Sequence, residues 1–308
     1  MNDALNLRVG FWGLGNMGAP MSRRLLDAGA DVLGRDPSPA AQAAHVAAGG
    51  RVDADADLSE LDILILMLPS SSVVESVLLD EGVASRLRAG TLVIDMSSSE
   101  PLRSLALARD LQQRGLEFMD APVSGGLTGA EAGTLAIMAG GSEAAVQRAA
   151  GVMSILGRPR HVGAVGAGHA LKALNNLLSA THLLVTSEAI LVGERFGLDP
   201  AVMLETINAS SGRSGSSQNK WPNFILPRTF DSGFGLRLML KDMKIATELA
   251  HSLGIPMELG DAAVAEWSDA ADSLDPDADH TEIARYLESR RDAGPGTGGS
   301  VIAVDVIG

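Results

Sequence analysis

The stretch "LRVGFWGLGNMGAPM", residues 7–21, decides the fold. It begins as a short apolar run and ends as the opening of an amphipathic helix. Between the two stand Gly13, Gly15 and Gly18 in G-x-G-x-x-G spacing. A strand that turns into a helix through this spacing builds a cradle for a pyrophosphate. The first glycine makes the tight turn, the second lets phosphate approach the backbone, and the third lets the helix pack on the strand. The N–H groups of the helix's first turn then face the anion. Gly13, Leu14, Gly15, Asn16, Met17 and Gly18 are therefore the candidate cofactor loop. A glycine-rich turn in an unrelated α/β domain would share the spacing without the strand–loop–helix context.

Working outward, the second strand ends in "VLGRDPSP". An acid at this point accepts hydrogen bonds from the adenosine ribose hydroxyls, which favours NAD. Asp36 fits that role. Arg35 beside it suits a 2′-phosphate, so NAD is the preferred cofactor and NADP the alternative. Two later strand ends line the same crevice, because ligands sit at the carboxyl ends of parallel strands. They carry Leu68 and Pro69 in "LMLPSS" and Ser97 and Ser98 in "VIDMSSS".

Across the first 160 or so residues, short apolar runs alternate with helical patterns. Strands are expected at 7–12, 31–35, 63–68, 91–95, 116–119, 135–139 and 159–162. Helices are expected at 17–28, 39–48, 101–114 and 143–155. That alternation implies a parallel sheet covered on both faces. After Gly163 the strand signals stop, and helices are expected at 167–195, 200–209, 216–226, 235–253, 258–273 and 280–291. The expected organisation is a dinucleotide-binding domain over 1–164 and an all-helical substrate and dimerisation domain over 165–293. The Gly/Pro-rich tail, 294–308, is expected to be flexible.

Composition narrows the function. The 308 residues carry a formal net charge of −14, which argues against a phosphate-backbone binder and against docking on anionic membranes. There is no cysteine, which excludes disulfides, thiolate nucleophiles and Cys-ligated zinc; no metal is expected. The start lacks a basic segment followed by an apolar one, so no signal peptide is read. No run of about 18 uninterrupted apolar residues suggests a membrane span. The expected location is the cytoplasm.

The segment "DAPVSGGLTGAEAGTLAIMAGG" follows a strand end. Ser124, Gly125 and Gly126 offer successive unhindered N–H groups and a hydroxyl, a nest suited to a carboxylate. A structural glycine-rich turn is the plainer alternative. Further on, "GHALKALNNLL", 168–178, has helical spacing and is mostly apolar, yet holds Lys172, Asn175 and Asn176 on one face. The chain has 20 arginines and only four lysines: Lys172, Lys220, Lys241 and Lys244. Lysine can lose its proton when desolvated, whereas arginine effectively cannot.

Four stretches together resemble the β-hydroxyacid dehydrogenase family, the group of 3-hydroxyisobutyrate dehydrogenase and tartronate semialdehyde reductase, with 6-phosphogluconate dehydrogenase as a larger relative. They are "GLGNMGAPM" (13–21), "DAPVSGGLTGAEAGTL" (120–135), "GAGHALKALNN" (166–176) and "FGLRLMLKDM" (234–243). The resemblance implies an α/β Rossmann-type parallel-sheet domain and an all-α C-terminal domain joined by a long helix. It implies a nicotinamide cofactor and a small β-hydroxy acid substrate. By position, Lys172 matches the family's catalytic lysine and Asn176 its substrate-orienting asparagine. Ser124, Gly125 and Gly126 match the loop that holds the substrate carboxylate. Lys241 matches a lysine near both nicotinamide and substrate, and Ser97 a cofactor-loop position. Two positions depart from the pattern: His169 stands where the family commonly has Gln, and Ser98 where Thr is usual. His169 is read as a packing residue or as one that supports the site through a neighbour.

The chemistry follows from these residue types. Oxidising an alcohol sends a hydride to the nicotinamide and a proton to a base whose pKa lies near the working pH. Free lysine, near 10.4, holds its proton too strongly. Burial and a neighbouring cation such as Lys241 lower that value. Asn176 can donate to the substrate oxygen without adding charge, while Asn175 is expected to tie the helix to neighbouring backbone. Arg213 and Lys220, in a polar stretch, either meet a second polar substrate group or are simply solvated. Asp242 is expected as an ion-pair partner and Lys244 as exposed. An imine reductase and a non-catalytic dinucleotide sensor are the competing readings; Lys172 argues against the first, and Lys172, Asn176 and the 124–126 loop against the second. A homodimer or homotetramer is expected from the apolar helical half.

Overall fold

The computed structural model describes residues 7–53 and 57–293. The chain divides into two compact units, Met1–Ala173 and Leu174–Gly308. In the first, β1 (Arg8–Trp12), α1 (Gly18–Asp27), β2 (Asp31–Arg35), α2 (Pro39–Ala47) and β3 (Ile63–Leu66) open the sheet. Then come α3 (Ser71–Glu75), running into a π-turn, α4 (Val83–Arg86), β4 (Leu92–Asp95), α5 (Pro101–Gln113) and β5 (Glu117–Asp120). The unit continues with β6 (Val123–Ser124), α6 (Gly126–Ala132), β7 (Leu135–Gly140), α7 (Glu143–Leu156), β8 (Gly157–Gly163) and the start of α8 (Ala167–Phe196).

The strand order is β2-β1-β3-β4-β5-β7-β6, with β8 also pairing β7. The first five strands are parallel. Their order reverses between β1 and β3, so the glycine loop after β1 lies at the switch point where such sheets bind ligands. Each of these five strands has apolar residues for both faces. Ile63 and Ile65 enter a core with Phe11, Met21, Leu25 and Met153, whereas Leu64 and Leu66 enter one with Trp12, Leu78, Leu107 and Leu111. That double burial explains the continuous apolar run in β3.

The sheet is not wholly parallel. β7 runs antiparallel to β5 and to β6, a strand that the sequence pattern did not show. Only the short α6 and its flanking loops separate β6 from β7, too little chain for the crossover that a parallel return needs.

The second unit holds the rest of α8, then α9 (Pro200–Asn208), a π-helical segment at Ser216–Ile225, α10 (Leu236–Ser252), α11 (Glu258–Ser273) and α12 (Ile283–Ala293). Pro222 removes an N–H from inside the π segment. The core includes Leu236, Met243, Trp267 and Ile283, all fully buried. The division between units falls inside α8, several residues beyond the expected boundary at 164/165, because the first turns of this helix pack on strand ends of the sheet. By length and hydropathy α8 could cross a membrane, but 56% of its apolar window is buried in the protein. The expected tail, 294–308, lies outside the described residues.

Candidate active site

The cofactor loop has the geometry its glycines predict. A Cβ on Gly18 would stand 1.8 Å from the Gly13 carbonyl oxygen, and one on Gly13 2.1 Å from that of Met67. At both positions backbone touches backbone. Gly15 is the opposite case: it is exposed, and a Cβ there would meet nothing within 4 Å. The open side of the loop leaves room for a pyrophosphate. The first turn of α1 has no side-chain cap and no acidic residue; Ala19 N already bonds the Gly15 carbonyl and Pro20 has no N–H, so an anion here meets the positive end of the helix dipole and the loop ahead of it. Asn16 is exposed, Met17 half-buried and Leu14 buried. These features fit a dinucleotide.

Asp36 holds this loop as well as facing the crevice. Its Oδ2 accepts from Leu14 N at 2.8 Å, and its Oδ1 from Ser38 N at 2.8 Å. Arg35 is exposed. Ser97, at the end of β4, is buried; its Oγ accepts from Leu68 N at 2.9 Å. The serine therefore ties the loops after β3 and β4 together. Leu68 and Ser98 are half-buried and Pro69 is exposed along the same rim.

The loop at 124–126 follows β5 and β6. Ser124 is half-buried, Gly125 and Gly126 are exposed, and the two glycines have φ of 138° and 62°. A Cβ on Gly126 would meet nothing within 4 Å. This backbone concavity suits a carboxylate. Arg24 braces the helix that follows it: from α1 it donates to the carbonyls of Glu131 at 3.1 Å and Ile155 at 3.1 Å, near the ends of α6 and α7.

Lys172 is buried, 9% exposed, in the second turn of α8. The helix starts at the carboxyl ends of β4 and β5, where the sequence reading missed two residues. Asp120 is fully buried and accepts from Gly166 N at 2.6 Å and His169 N at 2.8 Å. Burial pushes its carboxyl up, opposed by the His169 ring and by these N–H groups. Asp95 is buried at the matching register of β4 and accepts from Ser97 N and Ser99 Oγ. An acid closing a buried strand was the available signal for both. His169, read as packing, is buried and pairs through Nδ1 with Ser104 Oγ at 2.8 Å.

In the second unit, Asn176 Nδ2 donates to Asp242 Oδ2 at 2.6 Å, and Asp242 Oδ1 faces Lys241 Nζ at 3.5 Å. Asp242 is the ion-pair partner expected, and Lys244 is exposed. Asn175 differs from expectation. It is exposed and donates to Asn176 Oδ1 at 3.2 Å, side chain to side chain, rather than to backbone. Its neighbour needs an amide partner more than the helix needs a tie. Arg213 is exposed, but Lys220 is half-buried over the Phe224 ring, 5.5 Å from its centroid. Burial lowers the Lys220 ammonium, with Asp279 opposing, so Lys220 belongs to the packing of this unit rather than to a solvated loop.

Comparison with known proteins identifies the family. Residues 8–168 match the model for the NAD binding domain of 6-phosphogluconate dehydrogenase. Residues 166–287 match that for NAD-binding of NADP-dependent 3-hydroxyisobutyrate dehydrogenase. The chain is 40% identical over 258 residues to the 2-(hydroxymethyl)glutarate dehydrogenase of Eubacterium barkeri, covering 82% of this chain and 86% of that one. It is 39% identical over 267 residues to human mitochondrial 3-hydroxyisobutyrate dehydrogenase, covering 83% and 79%. Among solved structures, the Mycobacterium tuberculosis 3-hydroxyisobutyrate dehydrogenase with L-serine superposes with a TM-score of 0.86 at 33% identity, over 91% of this chain and 99% of that one. A Streptomyces aurantiacus imine reductase, at 21% identity and a TM-score of 0.60, shares the fold. With its glycine loop and both family matches in place, the chain belongs to the β-hydroxyacid dehydrogenases, NAD(P)-dependent enzymes that oxidise hydroxy acids.

Proposed function

We propose that the enzyme oxidises a small β-hydroxy acid of the 3-hydroxyisobutyrate class to its semialdehyde, or catalyses the reverse reduction, with Lys172 as the general acid/base. One observation carries the reading: a buried lysine stands on a helix rooted at the carboxyl ends of β4 and β5, the edge that also bears the cofactor loop and the 124–126 concavity. When bound, the nicotinamide exchanges the hydride. Lys172 takes the hydroxyl proton on oxidation and returns it on reduction. Ser124, Gly125 and Gly126 hold the substrate carboxylate. Asn176 keeps a second amide N–H for the substrate oxygen while Asp242 engages the first. Lys241, fixed by Asp242, supplies a cation beside nicotinamide and substrate. NAD is the preferred cofactor, supported by Asp36 at the end of β2.

The test is a panel of hydroxy acids, 3-hydroxyisobutyrate, glycerate and 2-(hydroxymethyl)glutarate among them, followed by NADH absorbance. Lys172→Ala should abolish turnover of the best substrate with NADH affinity nearly intact, and Lys172→Arg should be poorly active because the guanidinium keeps its proton. Wild-type kcat in Lys172→Ala overturns the assignment, and a lower KM for NADP than for NAD overturns the cofactor preference.

We also infer a cytoplasmic homo-oligomer. The cofactor is held inside cells. Leu174, Leu178, Val185, Val192 and Phe196 form an exposed apolar stripe along α8, each at least 40% exposed, which is the kind of face that subunit contact covers. Light scattering on the purified protein checks it; a monomer at micromolar concentration sinks that reading.

A further inference from the structure

The start of α8 is held in an unusual way. Its opening N–H groups are capped not by a neighbouring residue but by Asp120, 46 and 49 positions away in sequence from Gly166 and His169. The approach is close enough to exclude side chains: a Cβ on Gly168 would stand 2.2 Å from the Met138 carbonyl oxygen and 2.8 Å from Asp120 Oδ2. One on Gly140 would stand 2.6 Å from Asp120 Oδ1. A second attachment crosses to α5. Ser104 Oγ reaches the Glu100 carbonyl at 3.1 Å and His169 Nδ1 at 2.8 Å. Nε2 faces Asp95 Oδ2 at 3.8 Å and has no hydrogen-bond partner among the described residues. All of these side chains are buried, Asp95 at 1% and Asp120 at 0% exposure.

We propose that Asp120 and His169 are positioning residues: together they clamp the first turn of α8 to the ends of β4 and β5 and so set the height and rotation at which Lys172 is presented. Lys172 stands three residues after His169, on the same helix face. Ser124 stands four residues after Asp120, with Ala121, Pro122 and Val123 between. One buried carboxylate is therefore the common root of the helix that carries the amine and of the loop that carries the concavity. Chains with Gln at position 169 can make the α5 contact with an amide; the imidazole adds the approach to Asp95. The proposal rests on Lys172 as the acid/base, and its test separates the two.

Lysine labelled with ¹³C at Cε gives four signals in this chain, one of which disappears in Lys172→Ala and is thereby assigned. Asp120→Asn keeps the shape but turns an amide N–H toward a helix N–H. The expected result is a moved Lys172 signal with a changed titration midpoint and unmoved Lys220, Lys241 and Lys244 signals. NADH affinity should stay within about twofold, and kcat should fall about tenfold or more with little change in KM. His169→Leu should act in the same direction, and His169→Gln should recover most of kcat. If Asp120→Asn does not fold, the His169 pair alone decides. An unmoved Lys172 signal overturns the proposal, as does a moved signal with wild-type kcat. Turnover in Lys172→Ala would instead remove the acid/base reading, leaving the clamp to be judged by the lysine signal.

Discussion

Asn176 and Asp242 are joined side chain to side chain at 2.6 Å, both of them buried, on α8 and α10. The carboxylate also holds Lys241. Two of the residues assigned to substrate thus share one buried carboxylate as partner. Removing one partner of a buried, charge-assisted bond leaves the other unsatisfied, at a cost of about 2 kcal/mol. Asp242→Ala should lower unfolding stability by that order in urea titration and reduce kcat/KM about tenfold. Asp242→Glu, which keeps charge but lengthens the arm, should restore part of the stability and little of the activity.

Asp36 has been read as a ribose partner, and the structure gives it a second duty at Leu14 N. Replacing it therefore does more than change cofactor choice. Asp36→Ala should raise the Kd for NADH by about tenfold, from loss of one charged hydrogen bond. It should not create tight NADP binding, because the loop it braced has lost its clamp. Fluorescence titration with both reduced cofactors measures this; strong NADP binding in the variant would show the brace to be unimportant.

Glycines 15 and 18 should part company under the same substitution. Gly15→Ala adds a methyl to open space, so Tm should move by no more than ~2 °C while NADH affinity falls. Gly18→Ala drives a methyl into the Gly13 carbonyl, which should cost about 3 kcal/mol of stability as overpacking. Thermal melts and cofactor titration on the pair distinguish a ligand-facing glycine from a packing one.

The second unit carries a predictable acid sensitivity. His280 is buried, and burial, joined by the Lys220 charge, holds its pKa down at about 4 against 6.5. The unfolded chain takes up a proton near pH 6.5 that the folded chain refuses until about 4. Stability is therefore full above pH 6.5 and declines as pH falls through this window. Asp279 beside it stays below its ordinary value, burial being outweighed by hydrogen bonds from Thr281 and Ser232, so the carboxylate adds its loss only at lower pH. His280→Gln should flatten the slope of unfolding free energy over this range, a change of up to roughly 3 kcal/mol across the window. An unchanged slope would assign the acid sensitivity elsewhere.

The sheet unit was readable from residues 7–21 because the glycine spacing, the strand before it and the helix after it are all local in sequence. Asp36 and the 124–126 loop are proposed from equally local sequence. What could not be read was long-range: that Asp120 caps a helix 46 residues on, that Asp95 lies beside it, and that His169 meets Ser104. No local pattern marks an acid whose partners are backbone N–H groups in another element. β6 escaped notice for a related reason. Two residues are too few to show a period, and its pairing depends on where β7 returns. Lys172 stood out through its rarity and its family match; the close approach of Gly168 to Met138 and Asp120 at the start of its helix did not.

Arg24 has a consequence for ligand binding as a whole. It lies on the helix that begins at the cofactor loop, and it holds the carbonyl ends of the helix that follows the 124–126 loop and of α7. The two loops therefore stand on helices that this guanidinium ties together, alongside the packing of α1 on α6 and α7. If filling the first loop changes the affinity of the second, thermodynamic reciprocity requires the second to change that of the first by the same factor.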